Sequence, residues 1–208
     1  MPPRRRENPM TPPKKPMDAP RVAGLVLAGG LSRRFGREKA LALWRGRPLL
    51  AWSLAALDSG CGRVAVSARP GCEAESLARA AGRPVIHDDP GHATGPLAGL
   101  AAGLAWAASE GFDALATLPC DTPFVGAAEI RALIEALGDA EAAHAVTEDG
   151  PQGLCAIWRC GLAPALGARL AGGDHPPVHR LLAEIASRAV RFADAAPFRN
   201  INSEADLG

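Results

Sequence analysis

Short apolar runs alternate with helical patterns over roughly the first two thirds of the chain. The runs have the length and residue types of buried strands, and they predict strands at Arg21–Ala28, Arg63–Ala68, Arg83–Asp88 and Phe112–Asp121. The helical patterns predict helices at Leu49–Gly60, Cys72–Gly82, Gly95–Ser109 and Gly126–Asp139. This order predicts an α/β fold, a single Rossmann-like domain of three layers with a mostly parallel sheet and helices on both faces.

The last third of the chain is less regular. A turn at Asp149–Pro151 divides the segment His144–Arg159 into two predicted strands. Prolines open a predicted helix at Pro176–Ala189, and Ala189–Phe192 predicts a short last strand. The segment Phe198–Leu207 ends the part of the chain that we expect to be ordered.

The chain begins with a segment of different composition. Residues 1–20 contain seven prolines and five Lys or Arg. Such a segment buries too little apolar surface to offset the entropy lost on ordering. We therefore expect a disordered tail at 1–20 and one domain at 21–208, with a basic tether for a partner protein as the alternative for the tail.

Bulk composition narrows the classes of function. A formal net charge of +1 does not favour a protein that coats nucleic acid. The longest apolar run, Leu97–Ala108, is shorter than the ~20 residues that cross a bilayer. Five cysteines without a Cys-x-x-Cys pair are typical of reduced thiols in a cytosol. We expect a cytoplasmic protein that binds neither nucleic acid nor membrane.

Polar or glycine residues follow three of the predicted strands. Gly29 and Gly30 follow the first strand, Asp88 ends the third, and Asp121 follows the fourth. Ligands of open α/β sheets bind outside the carboxyl ends of the strands, so these residues are expected to form one site. A glycine loop near cations and separate carboxylates suits nucleotide phosphates and a divalent metal.

The glycine pair is followed within nine residues by four cations, Arg33, Arg34, Arg37 and Lys39. Glycine accepts a positive φ and lets backbone N–H groups approach an anion with no Cβ in the way. The cations then offer charge to phosphate oxygens. Neither a Walker A pattern nor Gly-x-Gly-x-x-Gly occurs here. The alternative is a tight turn followed by a solvated basic loop.

Asp88 and Asp121 differ in how strongly the surrounding sequence indicates a ligand-binding role. An Asp after a strand often caps the next helix, and that alternative stays open for Asp88. Asp121 is a stronger ligand candidate because Pro119 and Pro123 stiffen the turn that holds it. Mg²⁺ takes one or two protein carboxylates and completes its coordination with phosphates. Asp121 is therefore the predicted magnesium ligand.

Four ordered blocks of this sequence resemble the molybdenum cofactor guanylyltransferases of the MobA-like NTP transferases. The stretch LAGGLSRRFGREKA is similar to the family's opening signature, with Phe35 in place of the usual Met and Glu38 in place of the usual Asp. GPLAGL, PCDTPF and NINSEADL resemble three later blocks. The similarity runs from about Val22 to Leu207.

The resemblance implies a nucleotidyltransferase fold and a definite reaction. A member of this family transfers GMP from Mg-GTP to the terminal phosphate of molybdopterin, and pyrophosphate leaves. The implied cofactor is Mg²⁺, the implied ligands are GTP and molybdopterin, and the implied partners are proteins that mature molybdoenzymes.

The resemblance also implies roles for individual residues. The implied nucleotide-binding positions are Leu27, Ala28, Gly29, Lys39, Asp88 and Asp121. Arg34, Lys39 and Asp121 are the implied catalytic residues, with Asp121 as the metal ligand and Lys39 expected in an exposed loop. Where the family commonly has an Asn after the second strand, this chain has Ser67, so that nucleotide contact is in question.

Asn200 and Asn202 are candidates for binding the acceptor substrate. They alternate, so in an extended segment both side chains face one side. Amides offer donors and acceptors that suit a pterin edge or a phosphate. The alternative is that they cap a last short helix from Ser203.

Other functions stay open at this point. Cytidylyltransferases for the same cofactor usually have Leu-Ala-Ala-Gly where this chain has Gly29, which favours GTP. Related nucleotidyltransferases that use CTP or another phosphate acceptor share the fold and a similar loop. The last alternative is a non-catalytic nucleotide-binding partner protein, although Lys39 and Asp121 argue against it.

Overall fold

The computed structural model describes residues 19–30, 38–91 and 95–207. Most of the predicted tail and the candidate Arg34 therefore lie outside the described residues. The strands are β1 Val22–Leu27, β2 Leu43–Trp44, β3 Arg47–Pro48, β4 Arg63–Ser67, β5 Val85–Ile86, β6 Ala114–Pro119, β7 Ala142–Thr147, β8 Gly150–Arg159 and β9 Ser187–Arg191. The helices are α1 Leu49–Asp58, α2 Glu73–Ala80, α3 Pro96–Ser109, α4 Ala127–Leu137, α5 Ala163–Ala171 and α6 Val178–Glu184.

Seven strands form one sheet in the order β5-β4-β1-β6-β8-β7-β9, and β2 and β3 form a small separate hairpin. Strand β8 is antiparallel to both of its neighbours, and the other pairings in the large sheet are parallel. The prediction of a mostly parallel sheet is confirmed. The strand order reverses between β1 and β6, which is where open α/β sheets form their ligand crevice.

Helices cover both faces of the sheet, as the alternation of elements predicts. One apolar layer contains side chains from α1, α2 and α4, and the other contains side chains from α3, α5 and α6. Strand β1 serves both layers, since Val22 and Val26 belong to the first while Ala23 and Leu25 belong to the second. Successive strand residues point to opposite faces, so a strand buried on both faces must be apolar throughout.

The small residues of α3 let this helix lie close against the sheet. A Cβ added to Gly103 would lie 2.3 Å from Leu25 Cδ2, so the helix packs closely against β1 at that position. A Cβ on Gly99 would lie 2.8 Å from Ser67 Oγ at the end of β4. Glycine at both positions therefore sets the depth at which the helix packs. Among the helices of the described residues, none has the length and apolar character to cross a membrane.

Several predicted boundaries are wrong. The predicted third strand Arg83–Asp88 is reduced to Val85–Ile86, and Gly150 and Pro151 lie within β8 rather than in the turn. The predicted helix to Ala189 ends at Glu184, because Ile185 is extended and Ser187 begins to pair with β7. The predicted short last strand is confirmed as part of β9, whereas α5 and the β2–β3 hairpin were not predicted.

A buried polar group joins β6 to β8. Thr117 is fully buried; its Oγ1 donates to the Leu154 carbonyl at 2.8 Å and accepts from Trp158 Nε1 at 2.9 Å. Trp158 is fully buried and belongs to the core. The hydroxyl satisfies two groups that would otherwise be buried without partners.

Thr117→Val is expected to lower the free energy of unfolding by ~1–3 kcal/mol, because an isosteric methyl leaves the indole N–H and a carbonyl unpaired. Urea denaturation monitored by circular dichroism measures the change. Ser109→Ala removes an exposed hydroxyl that bonds only the local Trp106 carbonyl, and should change stability by less than about 0.5 kcal/mol. Equal unfolding midpoints for the two variants would contradict the role of Thr117.

Candidate active site

A cavity of about 640 Å³ lies at the carboxyl ends of β1, β4 and β6. The three strand ends that the sequence predicts to meet are those of β1, β5 and β6, and their residues Gly29, Asp88 and Asp121 line this cavity together with the end of β4. The cavity is lined by every described nucleotide-binding candidate, namely Leu27, Ala28, Gly29, Lys39, Asp88 and Asp121. Asn200 lines it as well, from the C-terminal segment.

Lys39 and Asp121 form the charged centre of this cavity. Lys39 Nζ lies 2.9 Å from Asp121 Oδ2 and donates to Asn202 Oδ1 at 3.2 Å. The two charged side chains are 15% and 24% exposed. The expectation that Lys39 lies in an exposed loop is wrong, because it begins a short 3₁₀ turn, Lys39–Leu41, and reaches across to two other segments. A partly desolvated ion pair is screened less than a surface pair.

The C-terminal segment is fixed against the site by its backbone. Ile201 is fully buried with Ala42 and Leu49, and its N–H donates to the Asp121 carbonyl at 2.8 Å. Asn200 and Asn202, on either side of Ile201, thus turn toward the cavity and toward Lys39. The last helical turn is held by Asp206, which accepts from the N–H groups of Asn202 and Ser203. The side chain of Asn202 therefore binds Lys39 instead of capping that turn.

The two glycines of the loop differ from expectation in their backbone. Neither Gly29 nor Gly30 has a positive φ, so glycine is not needed there for a left-handed conformation. Among the residues that the structure describes, no atom lies within 4 Å of a Cβ added to either glycine. Packing does not require glycine either, and the space beside Gly29 belongs to the cavity. The remaining physical reason for glycine at these positions is that a ligand can approach the backbone closely where no Cβ is in the way.

Asp88 lies where a nucleotide contact is expected. The residue at the start of helix α3 is Gly95, which has no side chain to cap the helix. Asp88 Oδ1 lies 3.5 Å from the position of a Cβ on Gly99, and Ser67 lies beside it. Ser67 lines the cavity at the end of β4 and is almost fully buried. Asp88, Ser67 and Gly99 together form one wall.

Sequence reasoning missed several residues of the cavity. Arg69 lines the cavity two residues after the end of β4. It could have been predicted, because ligands of open α/β sheets bind at the carboxyl ends of strands. Residues 151–155 of β8 were missed because the position of an antiparallel strand in the sheet is not visible in its sequence.

A family model described as a MobA-like NTP transferase domain matches residues 24–189. The chain belongs to the MobA-like NTP transferase family. A relative, the molybdenum cofactor guanylyltransferase of Acidiphilium cryptum, is 42% identical over 190 residues, which cover 89% of this chain and 92% of the relative.

Solved structures share the fold of this MobA-like NTP transferase. The molybdopterin-guanine dinucleotide biosynthesis protein A of Archaeoglobus fulgidus has a TM-score of 0.72 at 23% identity, covering 89% of this chain and 94% of that one. A Mycobacterium tuberculosis protein solved as a complex with manganese has a TM-score of 0.61 at 22% identity, covering 84% and 89%. At these identities the likeness concerns the fold alone.

Glu38 departs from the opening signature that this MobA-like NTP transferase otherwise resembles, and the structure shows what its longer side chain reaches. Glu38 Oε2 accepts from the Ala74 N–H at 2.7 Å, in the first turn of α2. A carboxylate is favourable at a helix N-terminus. Arg69 lies 3.5 Å from the other oxygen. Glu38 therefore ties the residue before Lys39 to α2 and to the cavity wall.

Two thiols line the cavity of this MobA-like NTP transferase, Cys120 and Cys155. Burial first, and the nearby Asp121 carboxylate as well, raise the pKa of both thiols to about 12. Both remain protonated near neutral pH, and neither is suited to act as a nucleophile or a thiolate ligand.

The donor set for a metal in this MobA-like NTP transferase is small. Within residues 19–30, 38–91 and 95–207, no three His, Cys, Asp or Glu side chains are grouped closely enough to hold an ion by themselves. Asp121 offers one carboxylate at the centre of the cavity. That set fits an ion such as Mg²⁺, which binds through one or two carboxylates and completes its coordination with substrate oxygens and water.

Proposed function

We propose that this protein transfers GMP from GTP to the terminal phosphate of molybdopterin, releases pyrophosphate and makes the guanine dinucleotide form of the cofactor. The observation that carries the proposal is the Lys39–Asp121 pair at the centre of a cavity built from three strand ends. The 42% identity to a molybdenum cofactor guanylyltransferase, over nearly the whole of both chains, supports the same reaction.

The chemistry requires little acid–base catalysis. The nucleophile is a phosphate oxygen that is already ionised, so no strong general base is needed. The protein must bring two polyanions together and neutralise charge on the α-phosphate and on the leaving pyrophosphate. Lys39, whose Nζ lies 2.9 Å from Asp121 Oδ2, turns its ammonium toward a phosphate oxygen in the proposed complex. Asn202 remains its other partner and keeps it in the cavity.

Mg²⁺ is the proposed cofactor, with Asp121 as its protein ligand. When bound, it neutralises negative charge on the α-phosphate and on the leaving group. Arg34 is the proposed second cation for the phosphates. Leu27, Ala28 and Gly29 are proposed to line the nucleotide, and Asp88, which also lines the cavity, is proposed to contact it.

GTP is the proposed nucleotide because the loop reads Ala28-Gly29-Gly30. A methyl group on Gly29, which lines the cavity, would meet no atom of the described residues within 4 Å. Gly29→Ala therefore tests how the loop reads the base without a folding defect, and it should raise the use of CTP relative to GTP.

We also propose a cytoplasmic location and transfer of the product to proteins that mature molybdoenzymes. All five cysteines are free, which agrees with a reducing compartment.

The proposed function is tested by incubating the protein with molybdopterin, Mg²⁺ and each of the four nucleoside triphosphates in turn, and measuring pyrophosphate. Release with GTP well above that with CTP or ATP is expected. Equal release with CTP would overturn the proposed base preference, and no release with any of the four would overturn the transferase itself.

Asn202→Ala probes the link between the C-terminal segment and Lys39. The sequence alone predicts a higher KM for molybdopterin with GTP binding unchanged. Because Asn202 also accepts a hydrogen bond from Lys39, we expect kcat of the Asn202→Ala variant to fall about tenfold as well, since a hydrogen bond to a charged group is lost. Steady-state kinetics measure both effects, and Ser203→Ala, whose hydroxyl bonds only Asp206, is the control. An unchanged kcat would show that Asn202 does not position Lys39.

A further inference from the structure

The β2–β3 hairpin and its neighbours form a distinctive surface outside the lining of the cavity. Three aromatic rings contact one another there, with centroids 4.8 Å apart for Trp44 and Trp52 and again for Trp44 and Phe124. The guanidinium group of one arginine lies over each ring, 4.6–5.0 Å from its centroid. We name these six residues the arginine–aromatic surface, which consists of Trp44, Trp52 and Phe124 and of Arg45, Arg47 and Arg199, lying over them in that order.

The turn of the hairpin has a backbone conformation that its sequence does not favour. Trp44 pairs with Arg47, so Arg45 and Gly46 form a two-residue loop, and their φ angles are 50° and 73°. Loops with two positive φ angles strongly prefer Asn-Gly. Among the described residues, Arg45 is the one non-glycine residue with a positive φ. Because strained positions of this kind cluster at ligand-binding sites, the arginine at this position indicates a binding role of its side chain.

Arg45 and Arg47 have no acidic partner among the described residues. The chain contains no Asp or Glu from Lys39 to Leu57, and no described carboxylate forms an ion pair with either arginine. Both side chains are exposed, and Arg47 donates one hydrogen bond, to the Ala51 carbonyl at 2.6 Å. Arg199 differs, because its charge acts on the Asp206 carboxylate. The surface therefore presents two positive charges that a carboxylate of another molecule can pair.

The stacked arrangement prepares the arginines for binding. A guanidinium group that lies on a ring keeps its N–H donors at the outer edge, and it loses less entropy when it forms hydrogen bonds. Carboxylates accept such donors in pairs. The neighbouring Leu43 is 51% exposed, and no other large apolar side chain in the described ranges is as exposed. The surface thus joins charge to apolar area, and Trp and Arg are the residue types most enriched at the energetic centres of protein interfaces.

These features favour one kind of occupant. Proteins that bind single-stranded nucleic acid rely on aromatic faces on which bases stack, whereas a guanidinium group covers one face of each ring here. The N-terminal segment 1–20 of this chain carries five Lys or Arg against one Glu and one Asp, so its charge has the same sign as the surface. A protein segment with carboxylates and an apolar side chain complements the surface in both charge and hydrophobicity.

We propose that the arginine–aromatic surface docks a partner protein through a segment that presents carboxylates beside an apolar side chain. The carboxylates accept hydrogen bonds from Arg45 and Arg47, and the apolar side chain packs against Leu43 and the half-buried Trp44. The surface adjoins the active site, because Arg199 directly precedes Asn200, which lines the cavity. The docked partner therefore lies beside the cavity. This inference does not depend on the reaction that the protein catalyses.

The test is fluorescence anisotropy on the full chain with two labelled probes, a copolymer of Glu and Tyr that is acidic and apolar, and polyglutamate that is acidic alone. The wild type should bind the copolymer more tightly than polyglutamate. The double variant Arg45→Asn/Arg47→Gln should bind the copolymer about tenfold more weakly, because two charge-assisted contacts are lost. Its melting temperature should change little, since Asn is a preferred residue in this loop conformation. The single variant Arg45→Asn tests the proposal even where the double variant is unstable.

Arg131→Gln/Arg191→Gln is the matched control, because it removes the same charge from two exposed arginines that lie elsewhere, on α4 and β9. Binding of the copolymer by this variant should stay within about twofold of the wild type. Pyrophosphate release with GTP and molybdopterin should be unchanged in both double variants, since none of the four arginines lines the cavity.

Several results would overturn the docking surface. One is that the wild type does not bind the copolymer, and another is that the two double variants weaken its binding equally, so that net charge alone governs it. Tighter binding of oligothymidylate than of the copolymer, lost in Arg45→Asn/Arg47→Gln, would assign the surface to nucleic acid. A dimer in analytical ultracentrifugation that dissociates in the same variant would assign it to a second copy of the chain.

The docking surface and the proposed function fail separately. Loss of pyrophosphate release in Arg45→Asn/Arg47→Gln would place these arginines in the active site and overturn the docking surface. Absence of pyrophosphate release in the wild type, with its binding of the copolymer intact, overturns the proposed function and leaves the docking surface standing.

Discussion

Asp121→Asn should lower kcat for GMP transfer about a thousandfold, because removing one preorganised electrostatic group from a transition state typically costs ~10²–10³ in rate. Asparagine keeps the size of the side chain but loses the negative charge that a divalent cation requires. Pyrophosphate release at saturating GTP and molybdopterin measures the effect. The hydrogen bond from the Ile201 N–H reaches the Asp121 backbone carbonyl, so the C-terminal segment stays attached in the variant.

Asp89→Asn is the matched control for this experiment. Asp89 lies at the same edge of the sheet, one residue after Asp88, and its Oδ1 accepts from the Gly91 N–H, which an Asn oxygen also does. This variant should keep wild-type kcat. A loss of less than about tenfold in Asp121→Asn would show that the carboxylate is not the metal ligand of the reaction.

Lys39→Met is expected to reduce kcat/KM for GTP by ~10²–10³, since the ammonium is the described cation nearest to Asp121 in the cavity and methionine keeps the apolar stem without the charge. The change leaves Asp121 without this partner in a partly buried position, and stability should fall by about 1 kcal/mol or less. Thermal unfolding and kinetics measured on the same preparation separate the two effects.

Arg79→Met, on the exposed face of α2, is the control for loss of a cation. It should affect neither kcat/KM nor substrate binding. If Lys39→Met lowered only the melting temperature and kept its catalytic rate, Lys39 would have a structural role in this fold and no role in binding phosphate.

The location of the site at one edge of the sheet was predictable, because it follows from the parallel pairing of the strands alone. Once Leu27, Asp88 and Asp121 are placed at or just after the carboxyl ends of parallel strands in one sheet, they must lie at one edge. The glycine loop was predictable for a similar reason, although the expected positive φ at Gly29 is absent.

Two features of the site depend on contacts that sequence patterns do not carry. Lys39 was expected in an exposed loop, but its burial depends on Asn202, which is 163 residues away in the chain. The lining of the cavity by residues 151–155 depends on a strand that inserts between β6 and β7, and on a register shift between His144 and Ala145. Hydrophobic periodicity predicts that a strand exists, not which neighbours it pairs with or where its register shifts.

The most direct test of the proposed reaction is to follow the two ends of the triphosphate separately. GTP radiolabelled at the α-phosphate and GTP radiolabelled at the γ-phosphate are incubated in parallel with the protein, Mg²⁺ and molybdopterin, and the pterin product is isolated by chromatography. The account predicts that the α label appears in the pterin product and that the γ label appears only in pyrophosphate. Recovery of the γ label in the pterin, or of the α label only in free nucleotide, would contradict it.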